Sequence, residues 1–163
     1  MKKLLNAIVS MVVGASMYLL GLIPCFTATG TFLGASSSEN YSFYDMLSSE
    51  ADVVTAYKIF AIIMMIVAGL LIVGGVVELL KQLRVLKVKF NVGGLNFILA
   101  VLLVVSLIGL TISAFVVANS GNASLGALAS SSLTVSAGIY ILDVIGIAGL
   151  VLTFLTSNIK LKK

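Results

Sequence analysis

The chain has 163 residues, the length of one ordinary domain, but 60% of them are hydrophobic, 10% are charged and mean hydropathy is +1.21. A soluble fold with that balance could not cover its own surface. Histidine and tryptophan are absent and Cys25 is the single cysteine, which excludes a Cys/His zinc site, a Ser-His-Asp or Cys-His triad and an intrachain disulfide.

A helix needs roughly 20 mostly apolar residues to cross about 30 Å of hydrocarbon, and four such runs stand between polar segments. The first extends from about Leu4 to Phe26. Asn6, Ser10, Gly14 and Gly21 fall on one stripe of it, as packing against another helix requires. The competing reading is a cleaved signal peptide, because Lys2 and Lys3 precede the run, Pro24 could end its helix and Ala28-Thr29-Gly30 offers small residues for cleavage. The run is longer than the roughly 7 to 15 residues of a signal core. Cys25 reads as an inert thiol near its outer boundary.

An acidic outer loop follows, residues 27–52, with Glu39, Asp45, Glu50, Asp52 and the cluster Tyr41-Ser42-Phe43-Tyr44-Asp45. It is expected to be partly ordered, its tyrosines serving as headgroup-level anchors or as a binding patch. The second span runs from Val53 to Leu80, and Lys58, Ala61, Met65, Ala68, Gly69, Ile72 and Gly75 share one face of it. Glu78, beside Lys81 and Gln82, reads as part of a solvated helix end with a charge pair.

Residues 81–94 form a basic connector, and the third span, Leu95 to Ala118, carries Ser106, Gly109 and Ser113 on one face. The second outer loop, residues 119–134, is rich in Ser, Gly, Ala and Asn and reads as flexible. The fourth span runs from Val135 to Thr156 and offers two packing faces. One holds Ser136, Tyr140, Asp143, Gly146 and Leu150, the other Gly138, Leu142, Ile145 and Gly149.

Membrane strands would alternate apolar and polar residues over about ten positions, whereas these runs are continuous Leu, Ile and Val with glycine. The expected fold is therefore all-α: one domain over residues 1–163, with four transmembrane helices in a compact bundle of two hairpins. Nine of the ten basic residues flank one set of span ends, namely Lys2, Lys3, Lys81, Arg84, Lys87, Lys89, Lys160, Lys162 and Lys163. Lys and Arg near span ends are retained in the cytoplasm, which puts both termini there, with a bacterial cytoplasmic membrane as the expected compartment. The basic side reads as contact with anionic lipid headgroups, and no nucleic-acid motif accompanies it.

The layout of four spans with a longer first outer loop resembles the broad class of tetraspan membrane proteins that includes the claudins. The resemblance is one of topology, since the tryptophans and paired cysteines of a claudin outer loop are absent here. No claudin function transfers.

Asp143 lies eight residues into the fourth span, about 12 Å deep at about 1.5 Å per residue. An ionised carboxylate there costs roughly 2.5 to 3.5 kcal/mol on insertion scales, so it must be buried, paired or protonated. Lys58 is the candidate ion partner, and a protonated Asp143 bonded to Tyr140, Tyr57 or a serine is the rival arrangement. The helix-packing candidates are Ser10, Gly14, Gly21, Ala68, Gly75, Gly109 and Gly146.

The expected function is that of a non-enzymatic scaffold or accessory subunit, associating with itself or with another membrane protein, with lipids as surroundings and no cofactor. No nucleophile-base or metal constellation groups the available Ser, Thr, Tyr and Asp. The alternative is a proton- or cation-linked transporter or channel subunit working through Asp143.

Overall fold

The computed structural model describes residues 2–48, 55–87, 89–121, 123–124 and 129–157. In chain order the elements are α1 (Lys2–Leu20), β1 (Pro24–Phe32), β2 (Ala35–Ser42), α2 (Phe43–Ser48), α3 (Thr55–Gln82), α4 (Val92–Ser120), β3 (Ala123–Ser124), β4 (Ala129–Val135) and α5 (Ala137–Thr156). Helices α1, α3, α4 and α5 are long and apolar enough to cross a membrane. The fold is mostly helical but not all-α, because the two segments read as loops join in one four-stranded sheet.

The first helix stops at Leu20, earlier than the apolar run suggests. Pro24 has no N–H to donate and disfavours helical backbone in the residue before it. The N–H groups of Gly21, Leu22 and Ile23 bond back to Met17, Leu19 and Leu20 in a closing turn, and the chain leaves it as a strand. Strands β1 and β2 form an antiparallel hairpin whose two-residue connection, Leu33-Gly34, has positive φ at both positions (48° and 85°). That backbone twist suits a tight hairpin.

The sheet order is β2-β1-β4-β3, with every neighbouring pair antiparallel. Strand β4, from the Ser-rich segment expected to be flexible, pairs with β1 over seven positions from Phe26↔Val135 to Phe32↔Ala129. Serine favours strands weakly on its own, but β1 supplies a complete row of backbone partners, and serine and threonine hydroxyls bond across the strands. Thr31 Oγ1 meets Ser130 Oγ at 2.6 Å, and Thr134 Oγ1 donates to the carbonyl of Thr27 at 3.2 Å.

The long helices neighbour one another in the cyclic order α1, α3, α4, α5, with the closest association between α1 and α3. Large side chains fill the space they share: Met17, Tyr57, Met64, Leu71, Leu103, Leu107, Leu110 and Leu142 are fully buried. The sheet and α2 cover one end through Phe26 and Phe43, whose rings flank Tyr57 at centroid distances of 5.4 and 6.1 Å. Lys2, Lys3, Lys81, Arg84 and Lys87 belong to the opposite, basic end. There Asn91 caps α4, its Oδ1 accepting from the N–H of Gly94 at 3.2 Å.

Candidate functional site

Glycines set how closely the helices approach. A Cβ on Gly14 would stand 2.5 Å from the carbonyl oxygen of Ala68, and one on Gly75 would stand 2.7 Å from that of Ala7, so α1 and α3 touch backbone to backbone. Gly109 receives the ring of Phe60, Gly146 the side chain of Leu107, and Gly21 the ring of Tyr44. On α5 the buried face comprises Gly138, Ile139, Leu142, Gly146 and Gly149, which leaves Tyr140 at 48% exposure on the outside.

At the sheet end, a concavity of about 890 Å³ opens between the sheet, α2 and the last turn of α4, bordered by Glu39, Asp45, Ser120 and Leu133. Its acidic groups have local partners. The Ser42 hydroxyl and N–H both donate to Asp45 Oδ2, at 2.7 and 2.8 Å, and hold that carboxyl below the ordinary carboxylate range. Tyr41 Oη donates to Glu39 Oε2 at 2.8 Å, an interaction that raises the phenol's pKa. Tyr44 Oη donates to the carbonyl of Tyr18, and Tyr18 Oη to that of Met65, so these two tyrosines stitch α2, α1 and α3 together. Cys25 is buried beside Tyr57, and burial pushes its thiol up to about 11.

Toward the basic end the helices enclose a polar network. Asn96 Nδ2 donates to Asn6 Oδ1 at 3.1 Å, and Asn6 Nδ2 donates to Thr156 Oγ1 at 3.0 Å and to the carbonyl of Thr153 at 3.4 Å. This ties α4, α1 and α5 together in one chain of hydrogen bonds. Asn96 Oδ1 makes no hydrogen bond and lies directly against Gly74 of α3, where any side chain would collide with it. Ser10, one turn along α1 from Asn6, is buried with its hydroxyl unpartnered. Glu78 joins this interior rather than solvent: it is 3% exposed and accepts from Gln82 Nε2 at 3.0 Å. The expected charge pair is replaced, because Lys81 donates to the carbonyl of Phe90 at 2.8 Å. Helical phase explains the difference, since Glu78 falls on the buried face of α3 that includes Leu71, Gly74 and Gly75.

Asp143 occupies the seam between α4 and α5. Thr111 Oγ1 donates to its Oδ2 at 2.8 Å, and both residues are half-buried. Thr111, not Lys58, is therefore the partner of this carboxylate among the described residues. Lys58 lies three residues into α3 and has an interaction of its own there. Among the described residues, no group of three or more His, Cys, Asp or Glu comes together to hold a metal ion.

No protein family, curated protein or solved structure matches the chain.

The sequence reading singles out Asp143 but misses Thr111, one threonine in a long apolar run. It likewise misses Asn96, Thr153 and Thr156. An asparagine inside an apolar helix is a signal in itself, and Asn96 stands near the start of α4, where it is easily taken for part of the polar connector. Glu50 and Asp52 of the acidic loop, Val53 at the start of the second span, and Lys160, Lys162 and Lys163 lie outside the described residues.

Proposed function

We propose that this chain is a small integral membrane protein that serves as a scaffold or accessory subunit of a membrane complex, without chemistry of its own. In this reading the four long helices span the bilayer, the sheet stands on the outer side and the basic end faces the cytoplasm. Apolar side chains face outward from all four helices, among them Leu19, Ile66, Ile112 and Val144, as hydrocarbon surroundings require.

The observation that carries the accessory role is how the interior polar groups are used. Asn6, Asn96, Thr153 and Thr156 bond to one another, Ser106 and Ser113 bond to carbonyls of their own helix, and large apolar side chains fill the axis between the helices. That arrangement favours a body packed for association over a conduit. Asp143, on which a transport role would depend, lies at a lateral seam with Thr111 and not on the axis. A carboxylate in that position is a contact group for a neighbour.

The test is crosslinking in native membranes combined with a one-sided reporter fused within the β1–β2 connection. The expected result is an outer-side signal and a discrete crosslinked assembly. A strictly monomeric chain that captures nothing removes the scaffold reading, and a reporter signal from the cytoplasm removes the orientation.

A further inference from the structure

We propose that the α4–α5 seam around Thr111 and Asp143 is the docking surface for one membrane-spanning helix of a partner protein, and that this helix carries a lysine or arginine facing Asp143. The inference rests on the accessory-subunit reading and gives it a surface and a partner chemistry.

The carboxylate stands six residues on from Ala137, the first residue of α5, about 9 Å along the helix axis at about 1.5 Å per residue. It falls between the buried stripe of Ile139, Leu142 and Gly146 and the exposed stripe of Tyr140, Val144 and Ile147. It is therefore neither sequestered in the core nor close enough to the helix end to reach water, because an aspartate side chain is too short to extend a full turn or more. Oδ2 accepts one hydrogen bond from Thr111, and Oδ1 accepts none among the described residues. A hydroxyl donor orients the carboxylate without balancing its charge. Ionisable groups at this depth almost always pair or face water, and a cation arriving from the side on a neighbouring helix meets that need.

The surroundings suit a helix. Along α4, Ile108 and Phe115 stand exposed one turn to either side of Thr111, and Ile147 does so one turn beyond Asp143 on α5. The seam thus presents apolar ridges with one polar pair between them. A second copy of the chain is the poorer occupant, because a two-fold contact through this seam would set carboxylate against carboxylate.

The test uses the full chain reconstituted in phosphatidylcholine vesicles with a synthetic Leu/Ala membrane helix bearing one lysine at the depth of Asp143. Association is read by energy transfer. The lysine helix should bind about tenfold more tightly than the same helix with leucine in that place, and Asp143→Asn should erase the difference. Asp143→Glu, which keeps a carboxylate at that position, should retain a preference for lysine and guards against a variant that merely misfolds. Equal binding of the two helices overturns the proposal, as does a lysine preference that survives in Asp143→Asn or self-association of the chain through this seam. A photocrosslinker at Ile147 and another at Ile66 on α3 separate the two levels of inference in native membranes. A partner caught from Ile66 alone overturns the seam and leaves the accessory role standing, whereas capture from neither position removes both.

Discussion

Asn96 and Asn6 join by a hydrogen bond of 3.1 Å across 90 residues of sequence, in a polar network that unites α1, α4 and α5. Both amides are buried, at 0% and 1% exposure, so a bond lost between them is costly. Asn6→Ala is expected to destabilise the protein by about 1–2 kcal/mol. Asn6→Ala combined with Asn96→Ala should cost less than the sum of the two single changes, since the second removes a group the first has already orphaned. Reversible unfolding in bicelles, followed by a steric trap, measures both.

Contact of α1 with α3 depends on the missing side chains of Gly14 and Gly75. Gly14→Val forces the backbones apart where the carbonyl of Ala68 and the side chain of Ile72 already sit, and should cost about 1–3 kcal/mol. Gly30→Ala is the control, because its nearest atom is Ser37 Oγ at 3.8 Å, and should leave stability within about 0.5 kcal/mol. The same unfolding assay distinguishes them.

Cys25 is shielded twice, by burial and by a thiol pKa near 11. Only the thiolate reacts with maleimides, so labelling of the folded protein at neutral pH should be at least about a hundredfold slower than in denaturant. Labelling at the denatured rate in mild detergent would mean that the sheet does not cover the helix ends in solution.

Asp45 links the sheet to α2 through Ser42, and its native pKa is lowered from the ordinary 3.8. A lowered native pKa contributes stability above the unfolded value, and that contribution disappears as pH falls through the native one. Tyrosine near-ultraviolet circular dichroism should therefore hold steady at neutral pH and decline below about pH 4. Ser42→Ala should weaken that decline, because it removes the hydroxyl that favours the ionised form.

The helical part of the fold is written locally. Continuous apolar runs need helices to satisfy their own backbone, and single glycines such as Gly14 and Gly75 mark where two helices meet. The sheet is not local. Nothing in Ala129-Ser130-Ser131-Ser132 by itself asks for a strand, and β4 exists because β1 presents its backbone alongside. Asp143 draws attention as a carboxylate within an apolar run, yet its partner is not legible: Lys58 suggests itself by charge, whereas Thr111 meets it only through the rotation of α5 about its axis. Glu78 fails for a related reason. Its distance from the helix end suggests water, and its angular position places it inside.

Because β1 emerges so early and its inner partner so late, with the Thr27 and Ser136 hydroxyls 2.6 Å apart yet separated by 109 residues of sequence, the sheet cannot close until synthesis is nearly complete. Until then one side of β1 stands open, a row of unsatisfied amides inviting the wrong company. A chain cut short before Ala129 would keep that margin bare, a sticky edge ready to pair with a strand of another molecule.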